Sequence, residues 1–169
     1  MTINSEPKTL SAVKAGLHLK RPCLLVADLK QSLMIYHDIL GFRLDYVGEA
    51  SVDSYLYTVF KIPNHGKLTF AALSTDHEPR ALALTEVKQV DLPPLPLPHR
   101  IATVMQVSDL ATVISQIQAL HLELLPSNSF TVPPNLVLTE QGFQDFDGHL
   151  IILYETTLQE THAEAEMQR

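Results

Sequence analysis

The pattern of hydrophobic and polar positions in residues 26–46 predicts the end of a strand, an amphipathic helix and the start of another strand. Asp28 can cap this helix, because its carboxylate can accept hydrogen bonds from the free N–H groups of the first turn. The apolar face of the helix recurs at helical spacing, at Leu33, Tyr36 and Leu40. Gly41 can adopt the left-handed backbone that ends a helix, and the alternation over 42–46 predicts a half-buried strand.

The same pattern of strand, capped helix and strand occurs a second time. Val107-Ser-Asp-Leu110 repeats Val26-Ala-Asp-Leu29, with Asp109 in the position of Asp28. The second apolar helix face comprises Val113, Ile114, Ile117 and Leu120. His121 occupies the position of Gly41, and a second exit strand is predicted over 122–125. A unit that recurs in so short a chain predicts that one fold unit is used twice.

Alternating or apolar runs predict the remaining strands. In the first unit they cover residues 19–26, 55–62 and 67–73, and in the second 100–107, 130–132, 136–143 and 150–155. Residues 81–87 suit either an extended segment or a short helix, and the extended form is favoured. The predicted fold class is α+β, with two βαβββ modules.

Prolines and polar ends divide the chain into modules and connecting segments. Residues 92–98 contain too many prolines for a helix or sheet, which predicts a stiff polyproline II connector. A proline-rich ligand for another protein domain is the alternative. The predicted segments are a flexible tail over 1–16, a first module over 17–77, a connector over 78–98, a second module over 99–157 and an acidic tail over 158–169.

Composition and charge narrow the class of protein. A chain of 169 residues that is 46% hydrophobic suits one compact domain or two small modules with a common core. The formal charge of −7, without basic clusters, argues against nucleic acid as a partner. The single cysteine, Cys23, excludes an internal disulfide and a Cys-x-x-Cys zinc site. No apolar run has transmembrane length and no apolar signal core is present, so a cytoplasmic protein without a membrane partner is expected.

Three motifs resemble, in their chain order, those of the vicinal oxygen chelate superfamily, which includes glyoxalase I, extradiol dioxygenases and bleomycin-resistance proteins. They are Val26-x-Asp-Leu-x-x-Ser32, Tyr36-x-x-Ile-Leu-Gly-Phe42 and Asp145-x-Asp-Gly-His149. The resemblance covers roughly residues 19–155. It implies two βαβββ modules whose mixed sheets curl around a ligand cleft. It also favours a homodimer, because many members pair their modules across chains.

The resemblance further implies where a metal would bind, since metal-dependent members use His, Gln or Glu on the first and last strands of each module. The first-strand position, seven residues before the capping aspartate, is Arg21 in one module and Ala102 in the other. The last-strand position is Ile152 in the second module, and the strand over 68–73 in the first offers no carboxylate or imidazole. Alanine and isoleucine cannot ligate and a guanidinium repels cations, so no metal or other cofactor is expected.

Strand parity and motif position select a set of polar residues for the implied cleft, among apolar neighbours. The candidates for ligand binding are Arg21, Cys23, Tyr55, Tyr57, Gln106, Glu140, His149 and Tyr154. Cys23 suits an inert half-buried thiol better than a nucleophile, because no base is indicated beside it. His149 suits a structural role in a tight turn better than a catalytic one. Glu140 suits an exposed position better than its alternatives, a general base or a partner of Arg21.

Two functions from different classes fit these observations. The first is a metal-free protein that sequesters or senses a small organic molecule, with Arg21 favouring an anionic or carboxylate-bearing ligand. The alternative is a glyoxalase- or dioxygenase-related lyase, isomerase or oxygenase with a relocated or reduced metal site. A third interpretation is a dimeric scaffold without a ligand.

Overall fold

Two four-stranded sheets, one from each half of the chain, form the frame of this computed structural model, which describes residues 18–159. The first half contains β1 (Cys23–Val26), α1 (Leu29–Leu33) with π-helical turns over Met34–Ile39, β2 (Arg43–Glu49), α2 (Tyr55–Phe60), β3 (Lys67–Ser74) and β4 (Leu82–Lys88). The second half contains β5 (Thr103–Gln106), α3 (Leu110–Ala119), β6 (Asn128–Val132), β7 (Leu136–Gln144) and β8 (Leu150–Leu158). None of the helices within 18–159 has the length and apolar character needed to cross a membrane.

The strand order is the same in both sheets and confirms the predicted α+β fold. Sheet one has the order β1-β4-β3-β2 and sheet two the order β5-β8-β7-β6. In each sheet the first strand runs parallel to the last, while the other neighbours are antiparallel. Each half is therefore a βαβββ module. The tail predicted over 1–16 lies outside the described residues, as does the tail predicted at the other end, apart from Leu158 and Gln159.

Both long helices begin where the repeated Val-x-Asp-Leu pattern predicted. Asp28 Oδ1 accepts a hydrogen bond from the Gln31 N–H at 3.0 Å, and Asp109 Oδ1 accepts one from the Thr112 N–H at 2.9 Å. The Gln31 N–H is the main cause of the lowered pKa of Asp28. The hydroxyl and N–H of Thr112 lower the pKa of Asp109.

A second carboxylate, from the last strand of each module, also binds the first turn of its helix. Glu86 on β4 accepts a hydrogen bond from the Leu29 N–H at 2.8 Å. Glu155 on β8 accepts one from the Leu110 N–H at 3.1 Å. Helix and sheet are thus joined in the same way in both modules, which the repeated motif did not predict.

One apolar core joins the two modules. Its buried members include Leu24, Val26, Ile35, Tyr36, Phe42 and Leu84 from the first module and Leu110, Ile117, Phe143, Ile151 and Leu153 from the second. Leu25, between Leu24 and Val26 on β1, packs instead in a separate cluster with Ile62, Leu68 and Val87. This confirms the predicted parity of β1. Each sheet therefore turns one face to the common core and the other, here called its outward face, away from it.

Residues 55–62 form a helix and a turn, so the strand predicted there is wrong. Ser54 Oγ accepts a hydrogen bond from the Leu56 N–H at 3.4 Å, and the left-handed Lys61 (φ 54°) ends α2. Leu56, Tyr57 and Phe60 pack against the outward face of sheet one. These three residues are spaced by one and four positions, which places them on one face of a helix. In so short a segment, however, apolar residues also fall at alternate positions, as they would in a strand. The pattern alone could not separate the two.

The last strand of the first module is β4, which begins within the extended segment favoured over 81–87 and ends one residue beyond it. The sheet therefore continues to Lys88, beyond the predicted strand over 67–73, and the connector begins after β4 rather than at residue 78. The exit strand predicted over 122–125 is reduced to one bridge between Leu124 and Phe143. Pro126 has no N–H with which to extend that pairing. The edge position of sheet two is taken by β6 instead.

Candidate functional site

The outward face of sheet one holds Arg21 against an aromatic surface. The guanidinium carbon lies 5.8 Å from the centre of the Phe70 ring, and Nη1 donates to the Arg80 carbonyl at 3.5 Å. The centre of the Tyr46 ring lies 6.4 Å from that of Phe70. A Cβ atom at Gly48 would overlap with the Tyr46 hydroxyl, so glycine lets this ring lie across β2. Within residues 18–159 Arg21 forms no ion pair, and the aromatic contact keeps it on the sheet.

Cys23 is the first residue of β1 and lies two positions after Arg21, on the same face of the sheet. Its Sγ is 3.3 Å from Thr85 Oγ1, and Thr85 is fully buried. The thiol is half-buried, and no imidazole or carboxylate in the described part of the chain hydrogen-bonds to it. With no such base hydrogen-bonded to it among the described residues, the thiol lacks the activation that a cysteine nucleophile needs. This geometry fits the inert interpretation of Cys23.

The two candidate tyrosines lie on α2, so the strand parity that placed them on one face does not apply. Tyr55 is 76% exposed at the start of the helix. The Tyr57 hydroxyl donates to the Gly66 carbonyl at 3.1 Å, while its ring packs in the cluster with Ile62 and Leu68. Tyr57 therefore anchors α2 to sheet one, and Tyr55 projects away from it.

A second group of candidates lies on the outward face of sheet two. Tyr154 on β8 is flanked in register by Gln106 on β5 and Glu140 on β7. The Tyr154 hydroxyl donates to Gln106 Oε1 at 3.4 Å, and Asn128 Nδ2 donates to Glu140 Oε1 at 3.1 Å. Val104, beside them on β5, is 58% exposed. This surface is open in a single chain.

The structure divides these candidates between two surfaces instead of one cleft. Arg21 and Cys23 lie on sheet one, whereas Gln106, Glu140 and Tyr154 lie on sheet two. Because both sheets turn their other faces to the common core, the two outward faces do not face each other. Arg21 and Glu140 therefore do not pair within one chain.

His149 belongs to a buried hydrogen-bond network between the modules. The Asp145 carboxylate accepts a hydrogen bond from the Tyr36 hydroxyl at 2.7 Å and from the His149 N–H at 2.8 Å, and it lies 3.0 Å from His149 Nδ1. Burial by itself raises the pKa of Asp145, but its bonds to His149 and Tyr36 outweigh burial, and the pKa lies below its ordinary value. Burial, together with the Asp145 charge, raises the pKa of Tyr36 well above its ordinary value. Tyr36 therefore remains a proton donor.

The turn that carries His149 has a second attachment to the first module. Asp147 Oδ1 accepts a hydrogen bond from the Ala27 N–H at 2.9 Å. Burial is the main cause of the raised pKa of Asp147. Sequence reasoning used Tyr36 as a residue of the apolar helix face and of a motif, and Asp145 as a motif residue, and it missed their contact. The one local signal was a tyrosine on the apolar face of a helix, where a buried hydroxyl needs a partner.

The side chains at the superfamily's metal positions do not fit a metal ion. Cys23 and Val104 occupy equivalent positions, because each lies five residues before the capping aspartate of its module. Cys23 pairs with Ala83 on β4, and Val104 pairs with Ile152 on β8. The last-strand position of the first module is therefore Ala83, not a residue of 68–73. The complete set is Arg21, Ala83, Ala102 and Ile152. Across residues 18–159, no three His, Cys, Asp or Glu side chains are grouped so that they could hold a metal ion.

Comparison with solved structures gives the same fold. A glyoxalase family protein from Bacillus cereus superposes with a TM-score of 0.65 at 15% identity, over 86% of this chain and 97% of that one. The fosfomycin resistance protein FosX from Listeria monocytogenes, complexed with Mn(II) and sulfate, gives 0.55 at 18% identity, over 85% and 94%. The trypanothione-dependent glyoxalase I of Leishmania major gives 0.54 at 16% identity, over 83% and 87%. At these identities the likeness shows the fold alone.

Comparison of the sequence with family models shows the family. A search of curated proteins found no match. The model of the Glyoxalase/Bleomycin resistance protein/Dioxygenase superfamily, however, matches residues 18–153, which is most of the chain. The matched range includes both helix caps, the strands β1 to β7 and the first four residues of β8. This chain belongs to the glyoxalase/bleomycin resistance protein/dioxygenase superfamily.

Proposed function

We propose that this protein binds a small organic anion, such as a carboxylate, on the outward face of sheet one and without a metal ion. The observation that carries the proposal is the position of Arg21. Its guanidinium lies against Phe70, 5.8 Å from the ring centre, and no described residue forms an ion pair with it. A guanidinium presents parallel N–H donors that match the two oxygens of a carboxylate.

The surroundings of Arg21 support an organic ligand over an inorganic ion. Tyr46 and Phe70 offer aromatic surface, and Leu25 lies further along the same face of β1. A mostly apolar surface with one charged group is typical of small-molecule sites. The formal charge of the chain is −7, so Arg21 is a local positive point on an acidic protein.

Replacement of Arg21 by alanine should weaken binding of an organic acid by about 30-fold, or ~2 kcal/mol, because the bound anion loses its charged partner. Lysine should restore part of the affinity, since it keeps the charge but not the paired donors. The ligand would come from a thermal-shift screen of organic acids, and affinities from calorimetry. Arg43→Ala, which removes an exposed arginine paired with Asp45, is the matched control. Unchanged affinity in folded Arg21→Ala would refute this role.

A homodimer is part of the proposal, because the outward face of sheet two leaves bulky apolar side chains exposed. Val104 is 58% exposed, Phe130 43% and Val132 37%. A second copy that covers this face would remove them from water. We expect a dimer in sedimentation at micromolar concentration. Val104→Lys should shift it toward monomer, while Leu97→Lys, on a connector residue that is 76% exposed, should not. A wild-type monomer would contradict the prediction.

The alternative function is a metal-dependent lyase, isomerase or oxygenase, and the Mn(II) bound to FosX is the observation that favours it. The aliphatic residues and Arg21 at the metal positions favour the metal-free function instead. Protein purified without chelators should therefore contain far less than one equivalent of zinc, nickel, iron or manganese by elemental analysis. A sample dialysed against a chelator supplies the baseline. A stoichiometric metal that is lost on substitution of His149 or another histidine would favour the enzyme.

A further inference from the structure

A cavity of about 300 Å³ lies at the junction of the two modules, beside the Tyr36–Asp145–His149 network. Its apolar wall comprises Leu25, Phe60, Ile62, Val90 and Leu92. His149 contributes the imidazole of the lining. Arg21 lies four residues before Leu25, which along an extended strand is about 13 Å. The cavity thus shares Leu25 with the face proposed for the anion, but Arg21 does not line it.

The imidazole of His149 is held with one nitrogen available. Nδ1 lies 3.1 Å and 3.0 Å from the two oxygens of Asp145, whose carboxylate can only accept. In the neutral ring Nδ1 therefore carries the proton and Nε2 the lone pair. Nε2 has no hydrogen-bond partner within residues 18–159. Every fully buried side-chain nitrogen or oxygen in that range does have a partner, so Nε2 is not fully buried. The side chain is only 15% exposed and it lines the cavity, so the cavity is the opening that we assign to Nε2.

The charges around the cavity select against an anionic ligand. Asp91 and Asp147 line it together with a single cation, Lys61, and the Asp145 carboxylate lies behind the imidazole. The sum is negative, so a carboxylate would be repelled. A neutral molecule with one hydrogen-bond donor meets no such penalty, because it needs only the acceptor Nε2.

We infer that this cavity is a second binding site, which takes a neutral, weakly acidic aromatic hydroxyl compound of the phenol class. The phenol O–H donates to His149 Nε2, and the ring packs against Leu25 and Phe60. Asp145 is a positioning residue, because it sets the tautomer and orientation of His149. Neither superfamily membership nor the anion site on Arg21 assigns this cavity a ligand.

The test uses the full chain and phenol as the probe at about pH 8, where phenol is still neutral. We expect saturable binding by calorimetry and a shift of one Nε2 resonance among the eight histidines in protein labelled with ¹⁵N-histidine. His149→Gln should remove that resonance and weaken binding about tenfold, since one hydrogen bond is lost. His121→Gln, at an exposed position after α3, is the control and should bind normally.

Two further variants keep the test decisive if His149→Gln does not fold. Leu92→Trp fills the cavity but leaves the network intact, and it should also abolish binding. Arg21→Ala should bind the probe like the wild type, although it loses organic acids. The inference is overturned if the wild-type chain shows no saturable binding, if Leu92→Trp binds normally, or if Arg21→Ala loses the probe. The last result would place the phenol on the Arg21 surface.

Discussion

Asp145→Ala is expected to lower the free energy of unfolding by about 3 kcal/mol at neutral pH, because it removes the acceptor of a buried network. Asp145 is 5% exposed, and its carboxylate accepts from the Tyr36 hydroxyl and from the N–H groups of Asp147 and His149. Its loss leaves the Tyr36 hydroxyl buried without a partner. It also releases the turn that connects the second module to the first.

The effect should depend on pH in a defined direction. The pKa of Asp145 is lower in the folded chain than its ordinary value of 3.8. A group of this kind adds stability above its unfolded pKa, and that stability is lost as the pH falls through the folded pKa. The difference between wild type and Asp145→Ala should therefore be full near neutral pH and should shrink in acid.

Urea unfolding of wild type, Asp145→Ala and Asp76→Ala checks this prediction at several pH values. Asp76 is an exposed carboxylate in the loop of the first module that corresponds to the Asp145 turn, so its replacement should cost less than about 0.5 kcal/mol. Tyr36→Phe removes the hydroxyl alone, and a double-mutant cycle with Asp145→Ala should give a coupling energy of about 1–2 kcal/mol. Additive losses of unfolding free energy in the cycle of Tyr36→Phe with Asp145→Ala would contradict the buried network. Equal losses for Asp145→Ala and Asp76→Ala would contradict it as well.

Phe143→Ala is expected to cost about 4 kcal/mol and to loosen both modules, because it leaves a cavity in their common core. Phe143 on β7 is fully buried, and its cluster includes Leu24 and Val26 from β1 and Ile117 from α3. A defect in sheet two therefore removes packing from sheet one. If the modules had separate cores, only the second would be affected.

Hydrogen exchange followed by mass spectrometry separates these outcomes. In Phe143→Ala the amides of β3 and β4 should lose protection together with those of β7 and β8. Phe146→Ala deletes the same side chain at a position 38% exposed in the neighbouring turn, and it should cost less than about 1 kcal/mol. Unchanged protection in β3 and β4 would show that the modules unfold independently.

Sequence alone predicted the long helices because their signals are local. Asp28 and Asp109 cap the first turns, and the chain leaves both helices through left-handed residues, Gly41 at φ +78° and His121 at φ +59°. Capping and helical periodicity involve residues within a few positions of one another, so they can be read along the chain. The short α2 was missed because six residues contain too few turns to separate helix from strand.

The candidate site was only partly predictable, because strand parity is local and the packing of modules is not. Parity placed Arg21 and Cys23 on one face of sheet one, apart from Leu24 and Val26 in the core. It could not show that Glu140 belongs to a surface that faces elsewhere. That depends on how two sheets pack around one core.

By itself the sequence determined the two βαβββ units, the helix starts and the absence of ligating side chains at three of the superfamily's metal positions, all from residues near each other in the chain. Tertiary structure alone decided the fourth metal position, Ala83, because strand pairing defines it. It also decided that the candidate ligand-binding residues lie on two surfaces instead of in one cleft. Finally, it decided the contact of Tyr36 with Asp145, which are 109 residues apart in sequence. Such a contact forms because burial in a common core removes the water with which the Tyr36 hydroxyl would otherwise pair, and the Asp145 carboxylate replaces it as the acceptor.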